Sequence, residues 1–157
     1  MTAITDSLAR PVLADSASTS RPVPAVTMDR IADDYWDDTI ADFDDVCQEQ
    51  LMAFAKLRWP GTVHEPMVFR INGEIVGGTL MMIQPLPLGV GALAVAKWGP
   101  MLRDVHRADA LALYEGMVAR LIEEYADRGG MFLSILPRAT LTATHPEYLH
   151  LMARGFE

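Results

Sequence analysis

The dipeptide Asn72-Gly73 lies between two apolar runs, Met67–Ile71 and Glu74–Gln84. No other feature limits the fold as strongly. Both residues tolerate positive φ, which a two-residue hairpin turn needs at its central positions. The two runs are therefore expected to pair antiparallel. Gly77-Gly78 inside the second run points to a bulge or a close approach of another backbone. "PLPLG" makes the next turn, and Val90–Lys97 supplies a third strand.

On either side of this meander the apolar period is helical. Ile31, Tyr35, Ile40 and Phe43 punctuate a segment with nine acidic residues between Asp29 and Glu49. The spacing predicts a helix with a solvated acidic face. The run lacks the Gly turn and the terminal Glu of a calcium loop. A second helix is expected from about Asp45 to Arg58, burying Val46, Leu51, Phe54 and Leu57 and stopped by Pro60-Gly61. Leu111, Tyr114, Met117, Val118, Leu121, Ile122 and Tyr125 recur at i, i+3, i+4 and i+7, which predicts a helix over 105–128 capped by Asp104. Gly129-Gly130 ends it. "MFLSILP" then reads as a short strand buried on both faces. A last helix begins near His145, with Thr144 and Glu147 spaced as a capping box.

That order gives an α+β fold. An antiparallel meander is followed by a β-α-β crossover into a parallel strand, and helices flank the mixed sheet. Such a strand wants neighbours on both sides, so the sheet is expected to be incomplete at its C-terminal side. The same argument makes 28–157 one lobe of a longer pattern, behind a disordered, Ser/Thr/Pro-rich leader over 1–27.

Composition removes several function classes. Of the 157 residues 50% are hydrophobic, so a packed core is available; a net charge of −8 argues against a coat for nucleic acid. The single Cys47 excludes an internal disulfide and a cysteine zinc site. His64, His145 and His150 show no metal spacing, so no metal is expected. Ser134 lacks a nucleophile-elbow glycine pattern. No window approaches the roughly 20 apolar residues of a membrane span, and no signal-peptide core is present. The cytoplasm is the expected location.

Between the third strand and the long helix stands "AKWGPMLRD", residues 96–104. Lys97 and Arg103 could hold phosphate or carboxylate, Arg103 by its bidentate fork. Trp98 could stack on a sugar, a base or a cation. Asp104 and His106 are the nearest groups for taking a proton from an amine. Each also has a plain structural reading. Gly99-Pro100 is a turn in any case, Trp98 a packed corner, and Lys97 a strand-end charge. Arg103 would then pair with Asp104 or Asp109, Asp104 would be a cap, and His106 a surface residue.

Several motifs in this order resemble the GNAT acyltransferases. They are Gln50-x-x-x-Phe54-x-x-x-Arg58, Gly73-Glu74-Ile75-Val76-Gly77-Gly78, Lys97-Trp98-Gly99-Pro100-Met101-Leu102, "EEYADRGGMFLSILP" and the closing Gly155-Phe156. More narrowly, residues 30–157 resemble the N-terminal half of the Fem-type aminoacyltransferases, which build peptidoglycan interpeptide bridges. The resemblance implies acyl or aminoacyl transfer to an amine, with Lys97, Trp98, Gly99 and Arg103 lining the site and Asp104 and His106 moving the proton. The donor would be acyl-CoA or aminoacyl-tRNA, with no further cofactor. The acceptor would be a small molecule or cell-wall precursor, with tRNA a partner only by family analogy. Lys97-Trp98-Gly99-Pro100 departs from the glycine-rich phosphate turn of acetyl-CoA-dependent members, and Pro100 removes an N–H donor. The alternative is a non-catalytic lobe that binds the acceptor or a partner. The open sheet edge would also allow oligomerisation.

Overall fold

The computed structural model describes residues 25–137 and 144–156. The leader expected over 1–27 lies outside them as far as residue 24. Six strands form one mixed sheet: β1 (Thr27–Arg30), β2 (Val63–Ile71), β3 (Glu74–Pro85), β4 (Ala92–Lys97), β5 (Met101–Leu102) and β6 (Phe132–Leu136). The order across the sheet is β1-β2-β3-β4-β6, with β5 beside β3. Among the described strands only β4 and β6 are parallel. Among the described residues four α-helices accompany them: α1 (Asp33–Ile40), α2 (Met52–Arg58), α3 (Ala110–Leu121) and α4 (Pro146–Ala153). The α+β class, the antiparallel meander and the parallel strand after the long helix are as the sequence predicts.

Alternation along β2 and β3 explains the three layers. Met67, Phe69 and Met81 point to one face with Leu113, Met117, Leu121 and Leu151 of α3 and α4. Val68 and Leu80 point to the other, with Trp36, Ile40, Met52 and Ala55 of α1 and α2. Strand β3 is buried without a break from Val76 to Ile83. Asn72 and Gly73 both take positive φ (51° and 84°), as a two-residue hairpin turn demands. Both readings of the glycine pair hold. The β2–β3 register shifts beside Gly77, and a Cβ on Gly77 would sit 2.5 Å from the Met101 carbonyl oxygen and 2.6 Å from Met117 Sδ.

The acidic segment is not the single helix its spacing predicts. It gives strand β1, the short α1, and a turn region closed by a 3₁₀ turn at Gln48–Gln50. Short acidic side chains compete with the helical ladder by bonding nearby N–H groups, and here they find targets. Asp37 accepts from Met52 N at 2.6 Å and Ala53 N at 3.3 Å, capping α2. Asp44 accepts from Val105 N at 3.1 Å and Asp45 from Leu102 N at 3.3 Å. As a result α2 begins seven residues later than expected, and Leu57 is exposed rather than buried.

The same contacts hold residues 103–109 out of the next helix, so α3 starts at Ala110, five residues after its expected start. Asp109, not Asp104, stands at its N-cap. Asp104 Oδ1 instead accepts from His106 N at 2.8 Å. Beyond Leu121 the helix widens into a π-helical turn over Ile122–Arg128. Strand β6 is not buried on both faces: Phe132 is 64% and Leu136 45% exposed, because among the described residues only β4 pairs with it. His145, not Thr144, holds the N-cap position of α4.

One irregularity organises the middle of the sheet. β3 pairs with β4 from Pro85↔Ala92 to Met81↔Ala96. Pairing resumes with β5 at Gly78↔Met101. Between these points Thr79 and Leu80 face the four residues Lys97–Pro100. The Gln50 side chain, fully buried, fills the gap. Its Oε1 accepts from Leu80 N at 2.6 Å and its Nε2 donates to the Lys97 carbonyl oxygen. The amide thus stands in for a ladder bond between β3 and β4. Its backbone oxygen also accepts from the indole N–H of buried Trp36 at 2.6 Å.

Two outcomes follow for stability. Gln50→Met keeps the volume but orphans a buried N–H and a buried C=O, so urea unfolding should show a loss of about 2–4 kcal/mol. Amide exchange at Leu80 should accelerate, and a loss below about 0.5 kcal/mol would remove Gln50 from this role. Gly77→Ala forces a Cβ against the Met101 carbonyl and should cost about 1–3 kcal/mol in the same measurement.

Candidate active-site cleft

The parallel pairing of β4 with β6 runs from Leu93↔Phe132 to Lys97↔Leu136 and is extended by Trp98 N donating to the Leu136 carbonyl oxygen. The two strands are zipped along that length. Trp98 and Leu136 are the last residues joined among those described. β5 stays on β3, and among the described residues no strand lies against its outer edge. A cleft of about 520 Å³ opens there, within the usual range of ligand sites.

Its walls come from four parts of the chain. Trp98, Pro100, Met101 and Leu102 form one side. The first turn of α3 contributes Ala110 and Leu111, and the start of α4 contributes His145, Pro146 and Glu147. Asp45 reaches in from the acidic segment. The first turns of two helices therefore border the cleft, where backbone N–H groups lack intrahelical partners. The His145 ring Nδ1 is buried and has no hydrogen-bond partner among the described residues. Glu147 lies close enough to Tyr114 for its charge to raise the phenol pKa, though burial of the ring is the larger cause.

The corner itself is fixed by close packing. Trp98 takes φ 59°, in the left-handed region, and the Gly99-Pro100 peptide is cis. A Cβ on Gly99 would sit 2.6 Å from Thr79 Oγ1 and 3.2 Å from Gln50 Nε2, so this position has room only for glycine. Trp98 is 40% exposed, more than a packed corner would be.

The residues singled out in the sequence do not converge on one site. Trp98 lines the cleft and Gly99 lies buried behind it. The Lys97 ammonium sits 4.4 Å from the centre of the Trp59 ring and 5.9 Å from that of Trp98, and Lys97 does not line the cleft. Arg103 pairs with Asp42 at 3.1 Å, rather than with Asp104 or Asp109. With Asp104 and Arg107 it borders a separate hollow of about 280 Å³. Arg107, in turn, forks onto Asp109 at 3.0 and 3.1 Å. His106 is exposed and lines neither space.

Sequence reasoning missed Asp45, Leu111, His145 and Glu147 as wall residues. Glu147 and His145 were legible only as a helix start, and Asp45 was one acid among nine. Gln50 was visible as a motif position, but nothing in the sequence marks its side chain as part of a sheet. Groups of three or more His, Cys, Asp or Glu able to hold a metal are absent among the described residues. No helix there is long and apolar enough to cross a membrane.

Neither a protein-family model nor a curated protein matches the sequence. Solved structures do. FemX is similar over 83% of this chain, with a TM-score of 0.63 and 18% identity, and the chain spans 32% of FemX. A transcriptional regulator from Bacillus halodurans C-125 is similar over 84% of this chain and 93% of its own, with TM-score 0.53 and 19% identity. An acetyltransferase from Trypanosoma brucei is similar over 84% of this chain and 92% of its own, with TM-score 0.52 and 16% identity. Likeness at these identities establishes architecture: the chain has the GNAT acyltransferase fold, related to that of FemX.

Proposed function

We propose that this chain is an N-acyltransferase domain whose reaction takes place in the cleft beyond Trp98. The observation that carries the reading is the cleft of about 520 Å³ beside the Trp98–Leu102 corner, bordered by the first turns of α3 and α4. Such an opening at the end of a parallel strand pair can take an extended donor. The helix start offers N–H groups to its anionic or carbonyl oxygens. The similarity to FemX and to an acetyltransferase supports the same reading. Acyl-CoA and aminoacyl-tRNA are the two donor classes. The acceptor is an amine on a small molecule or cell-wall precursor. Cytoplasmic donors place the reaction in the cytoplasm. That the domain is one lobe of a longer protein is supported by its spanning 32% of FemX.

In the reaction the neutral amine nitrogen attacks the carbonyl carbon of the thioester or aminoacyl ester. A C–N bond forms and the C–S or C–O bond breaks. The amine proton passes to a base, which returns it to the leaving sulfur or oxygen. His145 suits this role better than Asp104 or His106, because it lines the cleft and they do not.

The test is amide formation, followed by mass spectrometry, from acetyl-CoA, longer acyl-CoAs and aminoacyl-tRNA with a panel of primary amines. Transfer is expected with at least one donor. His145→Gln should lower kcat by about 100-fold while leaving KM within a few-fold. Absence of both transfer and binding for every donor would overturn the proposal. A second reading, a lobe that binds an acceptor or partner without transfer, is favoured by one observation: Lys97 and Arg103 are engaged away from the cleft. Binding of amines without amide formation would select it.

A further inference from the structure

A second hollow, of about 370 Å³, lies where the π-helical turn meets the β1–β2 pair. It shares no wall residue with the cleft. Its wall carries both signs of charge. Arg30 is the last residue of β1 and stands opposite Met67 on β2, two residues after Glu65. Glu124, Tyr125 and Arg128 come from the π-helical turn over Ile122–Arg128. Turns of that kind recur at functional sites. The buried Tyr125 hydroxyl donates to Glu65 Oε2 at 2.9 Å. Burial, with the Glu65 charge beside it, pushes the phenol pKa up, so the hydroxyl remains a donor and fixes the carboxylate. Arg30 is held loosely. Among the described residues its guanidinium meets Glu65 Oε1 at 3.4 Å and the His64 carbonyl oxygen at 3.5 Å, both long contacts. A guanidinium carries five N–H donors, so most of this fork is open to another acceptor. Glu124 Oε2 accepts from Arg128 at 3.0 Å, which leaves its carboxylate further acceptor positions. Met67 and Met131 supply the apolar lining, and unbranched thioether chains adapt to varied shapes.

We propose that this hollow binds a free α-amino acid with an apolar side chain. The α-carboxylate takes the Arg30 fork, the α-ammonium takes Glu124, and the side chain lies on Met67 and Met131. The balance of charge selects a zwitterion. A lone anion meets the repulsion of Glu65 and Glu124, and a lone cation that of Arg30 and Arg128. The volume suits a small ligand. The amino acid is neither donor nor acceptor in the cleft, so the proposal goes beyond the transferase reading and does not rest on it.

The experiment is a heteronuclear NMR titration of the full chain with L-leucine. Isocaproate, which lacks the amine, and leucinamide, which lacks the carboxylate, are the comparisons. Leucine should move the backbone amides of Glu65, Gly129 and Met131, and both comparisons should bind at least about tenfold more weakly. Arg30→Gln and Glu124→Gln should each weaken leucine binding about tenfold. Arg70→Gln removes a cation that pairs with Asp29 on the same strand pair and lines no part of the hollow. It should change binding less than about twofold. Thermal melts check that Arg30→Gln folds, and Glu124→Gln gives the independent arm. The proposal is overturned if leucine does not bind or if either comparison binds as tightly. It is also overturned if Arg70→Gln weakens binding as much as the two wall variants, or if the shifts gather at Leu111 and Glu147 on the cleft wall instead.

Discussion

The Gln50 carboxamide is the interaction on which the centre of this structure depends. A sheet cannot lose two consecutive rungs in its buried middle unless something else satisfies the groups left over, because an unpaired buried N–H or C=O costs as much as a lost hydrogen bond. Gln50 carries an acceptor and a donor on one rigid plane, as a peptide unit does. By accepting from Leu80 and donating to the Lys97 carbonyl it lets β4 leave the β3 ladder without an orphaned pair. The chain can then turn through Trp98, Gly99 and Pro100 and return to β3 as β5. The cleft opens beside that detour. Its position therefore follows from a side chain some thirty residues before the strand it repairs.

The acidic segment supplies the second constraint. Asp33, Asp34, Asp37 and Asp38 lie on α1, while three carboxylates beyond it reach across to β5 and the loop after it. Asp42 takes Arg103, Asp44 takes the Val105 N–H, and Asp45 takes the Leu102 N–H. Backbone bonds also run from Arg103 N to Val76 O and from Asp44 N to Arg103 O. Partly exposed pairs such as Arg103–Asp42 contribute little stability one by one. Their effect here is geometric. They hold residues 103–109 out of the helix, so that α3 begins at Ala110 and its first turn borders the cleft. They also draw Arg103 onto Asp42, away from the cleft.

The local elements were legible where a single short-range rule governs. Asn72-Gly73 fixed a hairpin because its φ values admit little else, and the paired glycines announced a close backbone approach that Met101 and Met117 then supply. The seven apolar positions from Leu111 to Tyr125 marked the main helix, whose start was misplaced because the competing partners of residues 103–109 lie some sixty residues away. Asp104 was read as a cap since it stood where a helix pattern began. The true start is five residues on, at an N-cap whose side chain makes no capping bond.

What the sequence determined by itself is the order of elements, the alternation that gives β3 two buried faces, and the glycine corner that interrupts β4. These rest on backbone freedom and on apolar periods of two and 3.6, both local properties. Tertiary structure alone decided which charges meet which partners. Lys97 and Arg103 read as a basic corner in one dimension, yet Trp59 and the acidic segment claim them in three. His145 and Glu147 acquire a role only because α4 folds back beside the gap in the sheet. Long side chains settle on whichever opposite charge or aromatic face the fold brings within a few ångströms, and no spacing along the chain encodes that distance.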